Sequence, residues 1–319
     1  MRVSVVLCTY AESMYDDFRE AADAVLDQTY DDVELVVVVD GTEAVFERVR
    51  DDYGDREDVV LHCNDENVGL LESRNTGGEL STGDVVAFID DDAVPAPDWV
   101  ELLVGAYEEH DRVAVGGKMT GRWVAGRPAY LPAEFDWLVG VTHRGFADGE
   151  GEVRNTFGSN ISFRRDVFLE LGGFDVEIGG RKGDVNMQGG ETELAVRVRE
   201  EYGQGVWYVP EAEVEHKVFE YRTGFWWLLD RAFWQGYSKL LFEKLVSGAG
   251  GDEEASYLGT LASDAVPARV NDLVEARSPT SAGRLAAIFV FTGAVGLGYV
   301  YGLCKWTFTP GATPGGDRS

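Results

Sequence analysis

The chain has 319 residues, 45% of them hydrophobic, which is enough for a sizeable core in one or two domains. It carries 57 acidic against 28 basic residues, a formal net charge of −29. Such a charge repels nucleic acid and anionic lipid, and because the acids are spread throughout the sequence it indicates a protein adapted to high salt.

Alternating apolar and amphipathic segments fill the first third of the chain. Near-continuous apolar runs predict buried strands, and apolar spacing of three to four residues predicts helices between them. The predicted strands are 2–8, 33–39, 59–63 and 85–89, and the predicted helices are 16–27, 44–52, 70–80 and 98–110. This alternation implies a doubly wound α/β sheet, in which ligands gather at the carboxyl ends of the strands. The residues at those ends are Tyr10, Asp40, Asn64 and Asp90.

The rest of the chain is less regular. The middle third is rich in glycine and aromatic residues, and its clearest helix starts near Glu191. An aromatic helical stretch follows at 225–246, and residues 285–304 carry no charge. That last run is either a buried helix or long enough to span a bilayer, and its place at the chain end favours membrane contact.

Cysteine usage and the first residues say little about function. The three cysteines, Cys8, Cys63 and Cys304, lack the spacing of a metal site or a disulfide framework. The apolar run at 3–7 is too short for a signal peptide, so we expect the catalytic part to be cytoplasmic.

Five apolar residues, 85–89, lead directly into Asp90, Asp91 and Asp92. Adjacent carboxylates repel one another, and a fold keeps them where a cation neutralises them. Oxygen ligands suit Mg²⁺ or Mn²⁺, and such a cation in turn binds a diphosphate. A solvated acidic turn is the alternative, weakened by the buried strand before it. The pattern therefore predicts an enzyme that acts on a nucleotide-activated substrate.

Several short motifs follow one another along the first 220 residues or so. They are VSVVLCTY at 3–10, VDGT at 39–42, NVG at 67–69, SRN at 73–75, DDD at 90–92, GSN at 158–160, FRR at 163–165, GGFD at 172–175 and ETEL at 191–194. Their order and spacing resemble those of the family 2 glycosyltransferases, which have the GT-A fold. The acid content and glycine-rich tail also resemble the haloarchaeal Agl enzymes, which build lipid-linked sugars for N-glycosylation of surface-layer proteins. Within that group the chain most resembles a hexuronic acid transferase that acts on a dolichol-phosphate-linked sugar.

The resemblance implies a Rossmann-like, mostly parallel α/β sheet flanked by helices, with a helical, membrane-associated C-terminal region. It divides the chain into a nucleotide-sugar-binding half (1–115), an acceptor and catalytic half (116–220) and a helical region (221–319) with the candidate membrane segment 285–304. The implied enzyme is an inverting, metal-dependent hexosyltransferase. It moves a sugar such as glucuronic acid from a nucleoside-diphosphate sugar, with UDP as the expected carrier, to a dolichol-phosphate-linked saccharide. It would work at the cell membrane with its catalytic domain on the cytoplasmic side, and it has no nucleic-acid partner.

The donor-binding residues follow from the same resemblance. They are Thr9, Tyr10, Glu12, Asp40, Arg74, Asp90 and Asp91, with Asp90 near the ribose. Asp40 would accept the N3–H of uracil, with an aspartate that caps the next helix as the alternative. Arg74 would pair with a phosphate oxygen through its planar fork, with a surface salt bridge to Glu72 or a neighbouring acid as the alternative. A uronic carboxylate would also need a basic partner, for which Arg164, Arg165, Arg181 and Lys182 are available.

Metal and base assignments complete the expected site. Asp92 is the expected ligand of Mg²⁺ or Mn²⁺, and His216 either lies near the metal or is structural. Glu191 is the expected general base because a carboxylate near a cleft can take the proton of the acceptor hydroxyl. The family usually has two adjacent acids here, whereas this chain has Gly190 before Glu191, so Glu193 remains an alternative base.

Other functions stay open on sequence alone. The pattern from Asp90 to Val94 also fits a magnesium-dependent phosphatase of the haloacid-dehalogenase type, although that motif normally follows the first strand. A polyprenyl-phosphate monosaccharide synthase, another family 2 transferase and a non-catalytic sugar-binding subunit are further alternatives. A dinucleotide-dependent dehydrogenase is disfavoured because no Gly-x-Gly-x-x-Gly follows the first strand.

Overall fold

The computed structural model describes residues 1–178, 180–182, 185–187, 189–245 and 252–308. Nine of its strands form one sheet in the order β3-β2-β1-β4-β8-β6-β11-β5, with β7 paired to β11. These strands are β1 Val3–Thr9, β2 Val33–Val39, β3 Val59–Cys63, β4 Val85–Asp90, β5 Ala93–Pro95, β6 Ala114–Trp123, β7 Gly151–Val153, β8 Ile161–Arg164 and β11 Val206–Val218. Two further strands, β9 Gly180–Lys182 and β10 Val185–Met187, pair with each other.

Strands β1 to β4 form the parallel part of the sheet. Val3 is in register with Val33 of β2 and with Val85 of β4, so the three strands end at the same edge. The pairs of β4 with β8, of β6 with β8 and of β11 with β5 and β7 are antiparallel. The expected α/β sheet with a parallel core is confirmed.

Helices cover both faces of the parallel strands. They are α1 Tyr15–Leu26, α2 Glu43–Tyr53, α3 Leu70–Leu80, α4 Trp99–His110, α5 Arg165–Glu170 and α6 Gly190–Tyr202. Val5 and Leu7 of β1 belong to one buried cluster, and Val6 and Cys8 belong to another. Successive residues of a strand point to opposite faces, so a strand covered on both faces is apolar throughout.

The chain folds into two compact units. The first consists of Met1–Thr120, Gly149–Gly180 and Gly190–Lys217, and holds the parallel strands. The second consists of Gly121–Asp148, Arg181–Gly189 and Val218–Ser319, as far as these are described. The three-part division at 115 and 220 remains a prediction.

The second unit is mainly helical. Its helices are α7 Phe225–Leu245, α8 Asp252–Thr260, α9 Val266–Ala276 and α10 Pro279–Phe308, with a π-helical turn at Leu261–Ala265. Phe135, Leu228 and Phe291 lie in its core. Among the described residues, Pro279–Lys305 is the one helix whose length and composition would allow it to cross a membrane, with a mean hydropathy of 1.8 and 33% of its most apolar stretch buried. A buried core helix can have the same properties, so this finding establishes an apolar helix and no more.

Candidate active site

The carboxyl ends of β1, β2 and β4 bring the predicted donor-binding residues to one edge of the first unit. Thr9 ends β1, Asp40 directly follows β2, and Asp90 ends β4. The backbone N–H of Asp40 donates to the carbonyl of Thr9 at 2.8 Å, and Cys8 is in register with Asp90. The parallel register therefore places these three residues side by side, as expected for an α/β sheet.

The three carboxylates of the acidic triplet have different partners. Asp90 accepts hydrogen bonds from Arg74 and from the Ser159 hydroxyl, the latter at 2.5 Å. Asp91 accepts one from the Thr9 hydroxyl at 2.7 Å. The chain turns at residues 91 and 92, so the alternation of an extended strand does not apply to the last two carboxylates.

Like charges concentrate at Asp91. Burial raises the pKa of its carboxyl to about 7, and the neighbouring Asp92 and Asp90 add to the rise, although the Thr9 hydrogen bond opposes it. This is the response expected of crowded carboxylates in a partly dehydrated site. A positive charge placed next to the triplet would relieve the repulsion.

Arg74 forms a buried ion pair with the first carboxylate of the triplet. Its side chain projects from α3, is 4% exposed and contacts Asp90 rather than Glu72. Burial alone would lower the pKa of Arg74, but the charges of Asp90 and Glu191 contribute to a net rise. The guanidinium thus stays charged, and Glu191 lies within its electrostatic range. A phosphate contact for Arg74 remains a prediction.

Asp40 caps the start of α3, although it lies about 30 residues earlier in the sequence. Its two carboxylate oxygens accept the backbone N–H groups of Val68 and Gly69, each at 2.9 Å, and Asn64 donates to the carboxylate at 3.0 Å. These amides immediately precede α3, whose positive end favours a carboxylate. Asp40 therefore caps α3 and not the next helix, α2, which was the structural alternative, and its contact with a base stays a prediction.

The remaining residues on the predicted base and ribose side differ in exposure. Thr9 is buried through its contact with Asp91, whereas the Tyr10 side chain is 58% exposed. Glu12 is exposed at the start of a short 3₁₀ helix, Glu12–Met14. Tyr10 and Glu12 are thus available to a ligand, and Thr9 acts on the triplet.

Asp92 and His216 lie together and offer a donor set that a divalent cation can use. Both are buried, and the Nε2 atom of His216 lies 3.4 Å from Oδ1 of Asp92. The pairing of β5 with β11 sets this contact, because His216 is in register with Ala93. Carboxylate and imidazole ligands together suit Mn²⁺, and Mg²⁺ accepts carboxylate with phosphate oxygens.

The residues present therefore fit such a cation with a partial shell. Within the described part of the chain, no group of three or more His, Cys, Asp or Glu side chains is arranged to hold a metal ion. A cation at Asp92 and His216 would take its other oxygens from water or from a diphosphate. This is the usual arrangement for Mg²⁺ in phosphate-binding sites.

The two glutamates at the start of α6 have different environments. Glu193 is buried, and both of its oxygens accept hydrogen bonds from Arg197, each at 2.6 Å. Arg197 also donates to the carbonyls of Leu171 and Gly173. Glu191 is partly exposed. The structure therefore uses Glu193 to fix the start of α6 and leaves Glu191 as the better candidate base.

Sequence reasoning did not assign roles to the residues that hold the site together. Ser159 bonds Asp90, and the neighbouring Asn160 is fully buried. The Asn160 amide accepts from Trp99 at 2.9 Å and donates to the carbonyl of Ala212 at 2.9 Å, so it joins α4 to β11. The GSN motif was the available signal, but nothing in it indicates these distant partners.

The basic residues considered for a uronic carboxylate are only partly described. Arg164 bonds the carbonyl of Arg112, and Arg165 bonds that of Glu79. The side chains of Arg181 and Lys182 lie outside the described residues. No partner for a uronate is assigned among the four.

Residues 4–172 match the family described as "Glycosyl transferase family 2". The chain is 55% identical over 304 residues to the glucosyl-dolichyl phosphate glucuronosyltransferase of Haloferax volcanii, with 95% of this chain and 96% of that protein covered. It is 31% identical to the glycosyltransferase AglE of the same organism, over 54% of this chain and 55% of that one.

Solved structures share the fold at low sequence identity. A Pyrobaculum calidifontis mannosyltransferase, in complex with GDP-Man and Mn²⁺, has a TM-score of 0.57 at 17% identity and covers 96% of this chain and 87% of its own. S. aureus TarS 1-349, in complex with UDP-GlcNAc, has a TM-score of 0.55 at 15% identity over 92% and 82% of the two chains. The GT-A fold is confirmed, and the phosphatase alternative is not favoured. The chain belongs to glycosyl transferase family 2.

Proposed function

We propose that this chain transfers glucuronic acid from a nucleoside-diphosphate sugar to a glucosyl-dolichyl phosphate. The observation that carries the proposal is the 55% identity, over 95% of this chain, to the Haloferax volcanii enzyme with that activity in its name. The carboxylates at the ends of β1, β2 and β4 supply a site of matching chemistry. UDP is the expected carrier, as the motif resemblance implies.

In this proposal the donor lies along the carboxyl edge of the parallel strands. Tyr10 and Glu12 contact the base and ribose side, and Asp90, held by Arg74 and Ser159, bonds the ribose. Asp92 and His216 would hold a divalent cation, and Mn²⁺ and Mg²⁺ both suit these ligands. When bound, the cation would neutralise charge on the departing nucleoside diphosphate.

Transfer would proceed by a single displacement with inversion. The acceptor hydroxyl oxygen forms a bond to the anomeric carbon while the bond from that carbon to the diphosphate breaks. Glu191 takes the hydroxyl proton, and the leaving diphosphate takes the electron pair. One carboxylate base suffices, whereas glycosidases use two acids.

The acceptor lipid requires the enzyme to work at a membrane. The C-terminal helix α10 is apolar enough to associate with one. We place the catalytic unit on the cytoplasmic side, where nucleotide sugars are made, and assign the product to the lipid-linked stage of protein N-glycosylation.

Transfer of labelled glucuronic acid from UDP-glucuronic acid to glucosyl-dolichyl phosphate, followed by mass spectrometry of the lipid, tests the proposal. We expect product formation that EDTA abolishes and Mn²⁺ restores. Asp92→Ala should remove activity and the calorimetric binding of UDP with Mn²⁺. The exposed Asp98, which makes no capping hydrogen bond at the start of α4, provides the control Asp98→Ala.

Three results would each overturn one part of this assignment. Efficient transfer of another sugar, with none from UDP-glucuronic acid, would refute the donor. Full activity in EDTA would refute the cation at Asp92. His216→Ala with an unchanged metal requirement would remove His216 from the cation site and leave the rest intact.

A further inference from the structure

Helix α10 has an apolar face that no described residue covers. Phe289, Leu297 and Val300 are 60%, 67% and 53% exposed. Together with the exposed Gly293 and Cys304 they recur every three or four residues, so they share one side of the helix. The opposite side, with Ile288 and Phe291, is buried in the core of the second unit.

The buried side of α10 packs along α7, and the two helices run in the same direction. Phe225, the first residue of α7, contacts Phe291 in the middle of α10, and Glu243 near the end of α7 accepts a hydrogen bond from Tyr299 at 2.6 Å. Phe233, midway along α7, contacts Tyr301 of α10, with ring centroids 5.5 Å apart. The helices are therefore in contact over most of the length of α7.

Two glycines bring the helix backbones too close for any side chain. A Cβ atom on Gly236 of α7 would lie 1.9 Å from the carbonyl oxygen of Val295. A Cβ atom on Gly298 of α10 would lie 1.8 Å from the carbonyl oxygen of Phe233. Small residues allow helix backbones to approach this closely, and here each helix contributes one glycine to the contact. We treat α7 and α10 as one rigid pair.

Of the two helices, α7 carries charged residues where α10 has none. Residues 285–304 of α10 carry no charge, with Arg284 before them and Lys305 after them. Over the matching length α7 carries Asp230, Arg231, Lys239, Glu243 and Lys244. Lys239 also bonds Glu254 of α8 at 2.9 Å. If α10 crossed a bilayer, its rigid partner would carry these charges into hydrocarbon, where they are strongly unfavourable.

From this geometry we infer that α10 does not span the membrane, although its hydropathy would allow it. The α7–α10 pair lies in the plane of the membrane surface, with the face of Phe289, Leu297 and Val300 among the acyl chains. The bilayer is the occupant that fits, because this face is free of acids in a chain of net charge −29. An amphipathic unit of this kind binds at the boundary between headgroups and acyl chains.

Residues at the ends of the pair suit the same placement. The Trp226 side chain, at the start of α7, is 77% exposed, and tryptophan is enriched at the membrane interface. Arg284 and Lys305 can extend their charged ends to the headgroups from either end of the apolar run. The inference rests on the proposed lipid-linked acceptor and specifies how the enzyme reaches it.

Sidedness of the C-terminus tests the inference without any measurement of activity. The full chain, with an epitope tag after its last residue, is isolated in sealed inverted vesicles and treated with protease from outside. In-plane binding predicts that the tag and the catalytic unit are digested together, while a lumenal marker protein stays intact. A protected tag beside a digested catalytic unit would show that α10 spans, and would overturn the inference.

Matched variants test which face meets lipid. Purified protein is floated with phosphatidylcholine vesicles in molar KCl, comparing Val300→Glu with Val176→Glu. Val176 is 39% exposed in the first unit and provides the same change of charge. We expect Val300→Glu to reduce the vesicle-bound fraction by about tenfold and Val176→Glu to leave it unchanged. Equal flotation of the two variants would refute the lipid-facing role of Val300.

The remaining occupant is a second copy of this chain. A vesicle-free dimer in sedimentation that Val300→Glu converts to monomer would show that the face is an oligomer interface, and would overturn the inference. Transfer to a short-chain acceptor dispersed in detergent measures the proposed activity without a membrane, so it tests the function separately from the placement of α10. Val300→Glu should retain that transfer, whereas failure of the wild-type protein to transfer glucuronic acid would refute the function and leave the topology result standing.

Discussion

The same substitution at two neighbouring glutamates should have opposite consequences. Glu191→Gln removes the proposed base and keeps the size of the side chain, so we expect kcat to fall by about 10²- to 10⁴-fold. Glu193→Gln removes half of the contact with Arg197, so we expect lower stability and nearly normal kcat. The two residues lie on the same helix, and each variant serves as the control for the other.

The stability cost at Glu193 can be worked from its contacts. Its side chain is 7% exposed, and both oxygens accept from Arg197 at 2.6 Å. Removing one partner of a fully buried ion pair costs about 3–5 kcal/mol. Arg197 is 25% exposed and keeps the carbonyls of Leu171 and Gly173, so its charge is not left without acceptors. We therefore expect a loss of about 2–3 kcal/mol, or roughly 4–10 °C in melting temperature.

Single-turnover transfer and thermal unfolding, measured on the same preparations, distinguish the two roles. Single-turnover rates isolate the chemical step from product release. If Glu191→Gln transferred sugar at the wild-type rate, the base would lie elsewhere. If Glu193→Gln lost the chemical step while keeping its melting temperature, the argument from the Arg197 contact would fail and Glu193 would become the base.

Three further predictions address the rest of the first unit. Ser159→Ala should lower the free energy of unfolding by about 1.5–3 kcal/mol in chemical denaturation, because it removes a hydrogen bond to the Asp90 carboxylate. It should also raise the KM for the donor more than it lowers kcat, and an unchanged KM would show that Ser159 has no role in donor binding. Asp40→Asn should cost about 1–2 kcal/mol by the same measurement, since it weakens the cap on the amides of Val68 and Gly69, and an unaltered midpoint would contradict that role. The melting temperature should rise from dilute buffer to molar KCl, because salt screens the excess of 57 acidic over 28 basic residues; equal melting temperatures would reject adaptation to salt.

The parallel part of the fold was predictable because its strands are simple in sequence. The predicted bounds of β2, β3 and α3 coincide with those of the structure. Strands buried on both faces are almost continuously apolar, and polar turns separate them from helices. The short strands β5 and β7 were missed, since three residues leave no periodicity to detect.

Individual site residues were predictable, but their partners were not. Asp90 bonds Arg74, 16 residues away, and Ser159, 69 residues away. The first contact depends on how α3 packs on the sheet, and the second on the antiparallel pairing of β4 with β8, which no local pattern specifies. For the same reason the sequence left Glu72 or a neighbouring acid as the alternative partner of Arg74, and left open the choice between Glu191 and Glu193.

The geometry of the triplet explains how three adjacent carboxylates remain in a buried site. Asp90 is neutralised by Arg74, and Asp91 is bonded by Thr9 and has its pKa raised to about 7. Asp92 lies against His216, a ligand type for Mn²⁺. Of the three, Asp92 is buried next to a second side chain that can bind a cation. The charges on Asp90 and Asp91 then contribute to the electrostatic potential at Asp92. If a cation binds at Asp92, removing Arg74 would leave the Asp90 carboxylate free to compete for it. The measured affinity for the cation would then depend on the Arg74–Asp90 ion pair as well as on Asp92 and His216.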